Sequence, residues 1–149
     1  MQKTALLVFL VAGLAGCAST PAPGTYGSFV QAPVATDDKA MADDVVKKLT
    51  VLYPPAKTRF NLQHATPDAF GIAMVTTLRA KGYAVAEVKP GAQVPALAAG
   101  EQSLAYILDQ PLDAGLYRVT ILVNSQTLSR VYQSSGGAVT PAGAWVRKE

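Results

Sequence analysis

Residues 116–133, LYRVTILVNSQTLSRVYQ, decide the fold, because they contain two alternating segments separated by a short polar turn. The apolar side chains of the first segment fall on one face, at Tyr117, Val119, Ile121 and Val123. Asn124-Ser125 predicts the turn, and residues 127–133 predict the returning strand. Such alternation is typical of antiparallel strands that bury one face and leave the other in water. The stretch therefore predicts a hairpin with one face on a core.

Three segments upstream of this hairpin also predict strands. They are residues 58–63, 83–88 and 104–108, the first and last of which alternate apolar with other side chains. Together with the hairpin they predict a mainly antiparallel sheet of about five strands.

Two helices are predicted, one before the first of these strands and one between the first and the second. Thr36 before two acids is typical of a capped helix start, and Thr66-Pro67-Asp68 predicts the start of the second helix. The apolar residues at helical spacing are Met41, Val45, Val46, Leu49 and Leu52 in the first helix, and Phe70, Ile72, Met74, Val75 and Leu78 in the second. Gly82 predicts a left-handed exit from the second helix.

This order of elements predicts an α+β fold, a small two-layer sandwich with both helices on one face of the sheet. We divide the chain into a signal peptide at residues 1–16, a lipidated N-terminus and flexible Pro/Ala-rich tether at 17–35, a globular domain at 36–133 and a C-terminal tail at 134–149. Pro21, Pro23 and Pro33 interrupt any regular element in the tether.

Residues 1–17 predict a secretion signal that ends at the only cysteine. Lys3 gives a positive start, residues 5–12 are an uncharged apolar run, and Leu14-Ala15-Gly16-Cys17 follows. This pattern resembles a bacterial lipobox, so we expect cleavage between Gly16 and Cys17 and acylation of Cys17. The alternative is a plain signal or a short membrane helix, although a spanning helix needs about 20 apolar residues. Lipidation would leave no thiol for a disulfide, a metal or a nucleophile.

Three aromatic residues lie in segments that we expect to be irregular. Tyr26 and Phe29 make the tether more apolar than a spacer requires, and they predict either a short docking segment for a partner or loose packing on their own domain. Trp145 is the only tryptophan, and it is either an aromatic anchor for a partner or a residue that folds back onto the sheet.

The charge pattern does not favour a nucleic-acid partner. The net charge is +3, and most basic residues are scattered singly among acids. The short clusters, such as Lys47-Lys48 and Arg147-Lys148, are typical of solvated faces.

No residue pattern predicts a catalytic, cofactor or metal site. His64, the only histidine, is expected to have a surface or capping role, and no phosphate loop or metal-ligand spacing occurs. Asp109 and Asp113 flank a proline turn and could meet. Arg130 and Tyr132 share one strand face, where a stabilising role is favoured over a ligand site. We therefore expect a non-enzyme with no small-molecule substrate and no cofactor apart from the covalent lipid on Cys17.

Several motifs together resemble the TrbH family of conjugal transfer lipoproteins. They are the lipobox ending at Cys17, the Ala/Pro tether, residues 70–78 leading into Lys81-Gly82-Tyr83-Ala84-Val85, Leu128-Ser129-Arg130-Val131-Tyr132, and Pro141-Ala142-Gly143-Ala144-Trp145. The resemblance covers nearly all of the chain. It implies a structural subunit of a mating-pair type IV secretion system, and Cys17 is the only functional residue that it carries over.

The same resemblance implies a location and partners. Lipoproteins kept at the inner membrane typically have Asp after the lipidated cysteine, whereas this chain has Ala18. We therefore expect a lipid anchor in the outer membrane, a domain facing the periplasm and protein partners in the secretion core complex. The alternative is a periplasmic lipoprotein that binds a ligand or a lipid.

Overall fold

The structure is a computed structural model that describes residues 25–31, 34–111 and 115–148, with only the backbone of residues 35 and 36. The predicted signal peptide, the cleavage site at Gly16 and the lipidated Cys17 lie outside the described residues.

The described residues form two helices and eight strands. The helices are α1 (Ala35–Leu52) and α2 (Ala69–Ala80), and a 3-10 turn (Pro55–Lys57) follows α1. The strands are β1 (Gly27–Ser28), β2 (Arg59–Leu62), β3 (Ala84–Ala86), β4 (Glu101–Asp109), β5 (Leu116–Val123), β6 (Gln126–Ser135), β7 (Ala138–Pro141) and β8 (Val146–Lys148). The predicted α+β class is confirmed.

All eight strands belong to one mixed sheet. Its main order is β3-β2-β4-β5-β6-β7, in which β4 to β7 are antiparallel neighbours. The strand β2 runs parallel to both β3 and β4. The strand β1 adds to β4 in parallel, and β8 adds to β6 in antiparallel orientation.

The two longest strands each pair with two short strands in tandem along the edge that faces away from β5. On β4 these are β2, opposite residues 101–104, and β1, opposite 107–108. On β6 they are β8, opposite 127–129, and β7, opposite 132–135. The sheet has more strands than predicted because β1, β7 and β8 have two to four residues each, too few to show an alternating pattern.

The segment predicted as a C-terminal tail contributes to this sheet. It provides the end of β6 and all of β7 and β8, and Trp145 is half-buried against the core. The segment predicted as a tether contributes β1. The regular structure therefore extends beyond residues 36–133 on both sides.

Both helices pack on one face of the sheet. The core between the two layers contains Met41, Val45, Val46, Leu49, Phe60, Leu62, Phe70, Met74, Val75, Leu78, Leu104, Tyr106, Leu108, Val119, Ile121, Leu128 and Tyr132. The predicted helix faces are confirmed except at Ile72, whose side chain is 56% exposed. Each helical residue turns by about 100°, so Ile72 lies about 200° around the helix from Phe70.

Both predicted N-caps were misplaced. The helix α1 begins at Ala35 after Val34, whose carbonyl accepts from Asp37 N–H and Asp38 N–H, and no side chain caps it. Thr36 is therefore a helical residue. The N-cap of α2 is Asp68 rather than Thr66, because the Asp68 carboxylate accepts from Gly71 N–H at 2.9 Å.

The end of α2 has the predicted glycine exit. Gly82 has a φ of +89°, Tyr83 N–H donates to Leu78 C=O, and Gly82 N–H donates to Arg79 C=O. This is the Schellman pattern. It turns the chain back so that Tyr83 enters the core and β3 pairs with β2, although β3 is shorter than the predicted segment 83–88.

Candidate interaction surfaces

His64 occupies the gap between β2 and β1 on β4. Its Nε2 accepts from Tyr106 N–H at 3.3 Å, and its Nδ1 lies 2.8 Å from Ala65 C=O. These contacts assign the proton to Nδ1 in a neutral ring. Burial lowers the pKa of His64, against an opposing contribution from Asp68. The histidine thus caps a backbone group of β4.

The N-terminal aromatic segment packs on its own domain. The Tyr26 ring lies 5.6 Å from the His64 ring, Phe29 N–H donates to Leu108 C=O at 2.8 Å, and Val30 packs against the core. The Phe29 side chain remains 52% exposed. Of the two predicted partner contacts in this segment, Phe29 is therefore the accessible one.

A cluster of three carboxyl groups lies beside this segment, where α1 and α2 begin. Tyr106 Oη donates to Asp68 at 2.5 Å, and Ser134 Oγ donates to Asp37 at 2.8 Å. Asp37 and Asp38 are buried. Burial, followed by the charges of Asp68 and Asp37, raises the pKa of Asp38 to about 6. No basic side chain of the described residues forms an ion pair with these three acids.

The predicted pair Arg130 and Tyr132 meets a third residue, Asp44 of α1. Arg130 Nη1 lies 2.8 Å from Asp44 Oδ2, and Tyr132 Oη donates to the same oxygen at 2.7 Å. Arg130 Nε donates to Gly143 C=O at 2.8 Å, and its guanidinium lies 5.8 Å from the Trp145 ring centre. The structure therefore places Trp145 against its own domain, and Arg130 joins the tail to α1.

The predicted meeting of Asp109 and Asp113 cannot be followed, since Asp113 lies outside the described residues. Asp109 instead pairs with Arg118 of the neighbouring strand, through contacts of 3.1 Å to Nε and 2.6 Å to Nη2. Both side chains are partly exposed, so this is a cross-strand surface pair.

The outer side of the helix layer has a groove between α1 and α2. A cavity of about 640 Å³ is lined by Asp43, Lys47, Thr50, Val51, Thr77 and Lys81. Lys39 pairs with Asp43 at 2.6 Å, and this contact, reinforced by Thr77 and Lys81, lowers the pKa of Asp43. The carboxylate therefore stays ionised beside the two lysines of the groove.

Residues 25–31, 34–111 and 115–148 contain no group of three or more His, Cys, Asp or Glu residues that could hold a metal ion. Neither of their helices is long and apolar enough to cross a membrane.

Sequence reasoning missed the partners of its candidate residues. Asp44 lies 86 residues before Arg130 in the chain, and Asp68 lies 38 residues before Tyr106. A polar residue beside the apolar stripe of a helix is a weak signal for such a contact. The groove was missed because Lys47 and Lys81 come from different helices.

The chain matches one family model. The match is to the conjugal transfer protein TrbH and covers residues 23–149. No significant match was found among curated proteins or solved structures. The protein therefore belongs to the TrbH family, and it takes part in conjugation by type IV secretion, with protein partners in the transfer apparatus.

Proposed function

We propose that this protein is a non-catalytic, lipid-anchored structural subunit of the conjugative apparatus, held on the outer membrane with its domain in the periplasm. The observation that carries the proposal is the family match over residues 23–149. The anchor has separate support in the motif Leu14-Ala15-Gly16-Cys17, which follows an apolar run and contains the only cysteine of the sequence.

The structural role is supported by the buried polar side chains, which form hydrogen bonds within the domain. Among the described residues, every buried side-chain nitrogen or oxygen has a hydrogen-bond partner. His64 Nε2 accepts from the backbone of β4, its Nδ1 bonds Ala65 C=O, and Asp44 joins α1 to the sheet. Such groups hold the fold together, which suits a rigid binding domain.

The attachment of β1 to the sheet gives the anchor a short reach. Residues 17–26 are the chain between the proposed lipid and β1. Ten extended residues span at most about 35 Å. The domain would therefore lie close to the membrane surface, where it could contact an apparatus embedded in the cell envelope.

The anchor is tested with two substitutions in a donor strain that lacks the chromosomal or plasmid copy of the gene. Cys17→Ser removes the acylation site, and Ala18→Asp keeps it but introduces the residue typical of retention at the inner membrane. We expect the first variant to lose palmitate labelling and both to leave the outer-membrane fraction. DNA transfer should fall at least tenfold in each.

Ala18→Ser is the matched control, because it changes the same position without a charge. It should fractionate and transfer DNA as the unsubstituted protein does. Normal transfer by a Cys17→Ser protein that is released from the membrane would contradict the proposal. So would normal processing in the presence of globomycin.

A further inference from the structure

The outer face of α1 carries a surface that the structural role does not use. Besides the cavity of about 640 Å³, a second hollow of about 200 Å³ is lined by Asp44, Lys47, Lys48, Val51, Arg130 and Trp145. Lys47 and Val51 line both, so the two hollows adjoin at these two residues of α1. We name this combined surface the basic groove.

The charges of the basic groove do not cancel. Asp43 is paired with Lys39, and Asp44 is paired with Arg130. Lys47, Lys48 and Lys81 form no ion pair with any acid of the described residues. Three positive charges are therefore left around the groove.

An apolar side chain stands between these lysines. Val51 is 74% exposed on α1, although the residues that face the core from the same helix are fully buried. Solvated lysines alone are typical of any helix surface. A concave surface that combines them with an exposed valine and a half-buried tryptophan has the composition of a binding site, with an apolar centre and a charged rim.

We propose that the basic groove binds an acidic segment of a protein partner, with one apolar side chain of that segment on Val51 and its carboxylates beside Lys47, Lys48 and Lys81. Charge complementarity selects the acidic partner, and a groove between two helices suits a segment that lies along it. The partner's membership of the transfer apparatus rests on the proposed function.

A protein segment fits this surface better than a membrane or a nucleic acid. A membrane would require several exposed apolar side chains on one face, whereas Val51 is the one large exposed apolar side chain among the described residues that line the groove. Single-stranded DNA is bound by a row of stacking aromatic side chains, whereas Trp145 is the one aromatic residue among the same lining residues.

The test uses full-length protein in donor cells that carry the complete apparatus, with a photo-crosslinking amino acid at Val51. Ile72 is the matched control site, because it is an exposed apolar residue on a helix but does not line the groove. We expect Val51 to crosslink to one apparatus subunit, within a peptide that has an excess of Asp and Glu. Ile72 should give at most a tenth of that product.

Charge reversal then tests the lysines. Lys47→Glu combined with Lys81→Glu should reduce the crosslink at least tenfold, whereas Lys57→Glu, at an exposed lysine on the 3-10 turn, should leave it unchanged. Replacing the acids of the crosslinked peptide by lysines should restore the product with the double variant. The lipidated protein must remain at normal abundance in each strain.

Several outcomes would overturn the basic groove as a docking site. They are equal crosslinking from Ile72, a product with lipid or DNA, a partner peptide without acidic excess, insensitivity to the double charge reversal, and no product in cells that transfer DNA. The anchor is judged separately: a crosslink that persists while Cys17→Ser transfers DNA normally would overturn the lipid-anchored role but keep the groove.

Discussion

The β4 side and the β6 side of the sheet have the same arrangement but opposite electrostatics. Each long strand pairs with two short strands in tandem, and one side chain bonds the backbone near the gap between them. His64 accepts from the backbone of β4, and Arg130 of β6 donates to Gly143 C=O between β7 and β8. On the β6 side the nearby acid, Asp44, has a cation as its partner. The carboxyl cluster of Asp37, Asp38 and Asp68 contacts β4 through Tyr106 and the end of β6 through Ser134, and it has hydroxyl and amide donors instead of a cation.

The comparison shows that similar strand pairing can be stabilised either by an ion pair or by hydrogen bonds to carboxyl groups. In the ion pair of Asp44 and Arg130, the arginine guanidinium places a fixed positive charge beside the carboxylate. In the carboxyl cluster, burial and the charges of Asp68 and Asp37 make Asp38 bind its proton more tightly. The carboxyl cluster should therefore respond to pH, and the Asp44–Arg130 pair should respond to the loss of a partner.

The largest expected change in the free energy of unfolding is at Asp38. Its pKa rises from 3.8 unfolded to about 6 folded, so the folded state holds a proton that the unfolded state releases between these values. Stability is therefore lost as pH rises from about 4 to about 6, by about 3 kcal/mol in total at about 1.4 kcal/mol per pH unit. Asp38→Asn should remove this loss and stabilise the protein at pH 7.

Urea unfolding of both proteins at several pH values checks this expectation. The gain from Asp38→Asn should shrink towards zero near pH 4. A gain that is independent of pH, or a loss at pH 7, would show that the Asp38 carboxylate is not destabilised in the folded state.

The next effect is on the β6 side. Asp44→Ala removes the shared acceptor of Arg130 and of the buried Tyr132 hydroxyl, and should destabilise by about 2 to 3 kcal/mol. Asp109→Ala breaks the exposed pair with Arg118 and should cost less than about 1 kcal/mol. Unfolding free energies of the two variants test the difference, and equal values would contradict a special role of Asp44.

Glycines provide a third comparison. A Cβ at Gly71 would overlap the Tyr106 hydroxyl and Thr66, whereas one at Gly143 would have no atom within 4 Å. Gly71→Ala should therefore cost about 2 kcal/mol by overpacking on the β4 side. Gly143→Ala on the β6 side should stay within about 0.5 kcal/mol of the unsubstituted protein. Thermal unfolding measures both, and a tolerated Gly71→Ala would mean that Tyr106 can move aside.

The smallest effect concerns His64. Burial lowers its pKa below 6.5, so its contribution to stability is present above pH 6.5 and decreases as pH falls through that value. His64→Ala should cost about 1 kcal/mol by removing the acceptor of Tyr106 N–H. NMR titration of this single histidine should show an unprotonated Nε2 at pH 7, and a pKa above 6.5 would refute the assignment.

The sequence predicted those helices and strands whose apolar pattern repeats over many residues. The helices were found from apolar residues at helical spacing, and β5 and β6 from alternation. The strands β1, β7 and β8 could not be found, because pairing of two to four residues depends on the neighbouring strand. Ile72 was misassigned because it was grouped by hydrophobicity, although its spacing of two residues from Phe70 places it on the opposite side of the helix.

Residues at the interaction surfaces were predictable only in part. Arg130 and Tyr132 were placed correctly on one face of β6, since a strand fixes that relation locally. Asp44 could not be added, because its contact depends on how α1 lies over the sheet. The cap of α2 was misplaced for a similar reason, since the contact of Tyr106 with Asp68 at the start of α2 depends on the packed fold.

The shortest strand, β1, gives the proposed tether two possible lengths, depending on whether β1 is paired with β4. Two residues of β1 pair with β4, so a pull on the N-terminus would detach β1 long before it disturbed the core. The free chain from Cys17 would then run to α1, which begins at Ala35, and its maximum reach would grow from about 35 Å to about 60 Å. Detachment of β1 would thus lengthen the proposed tether and leave the helices and the main sheet in place.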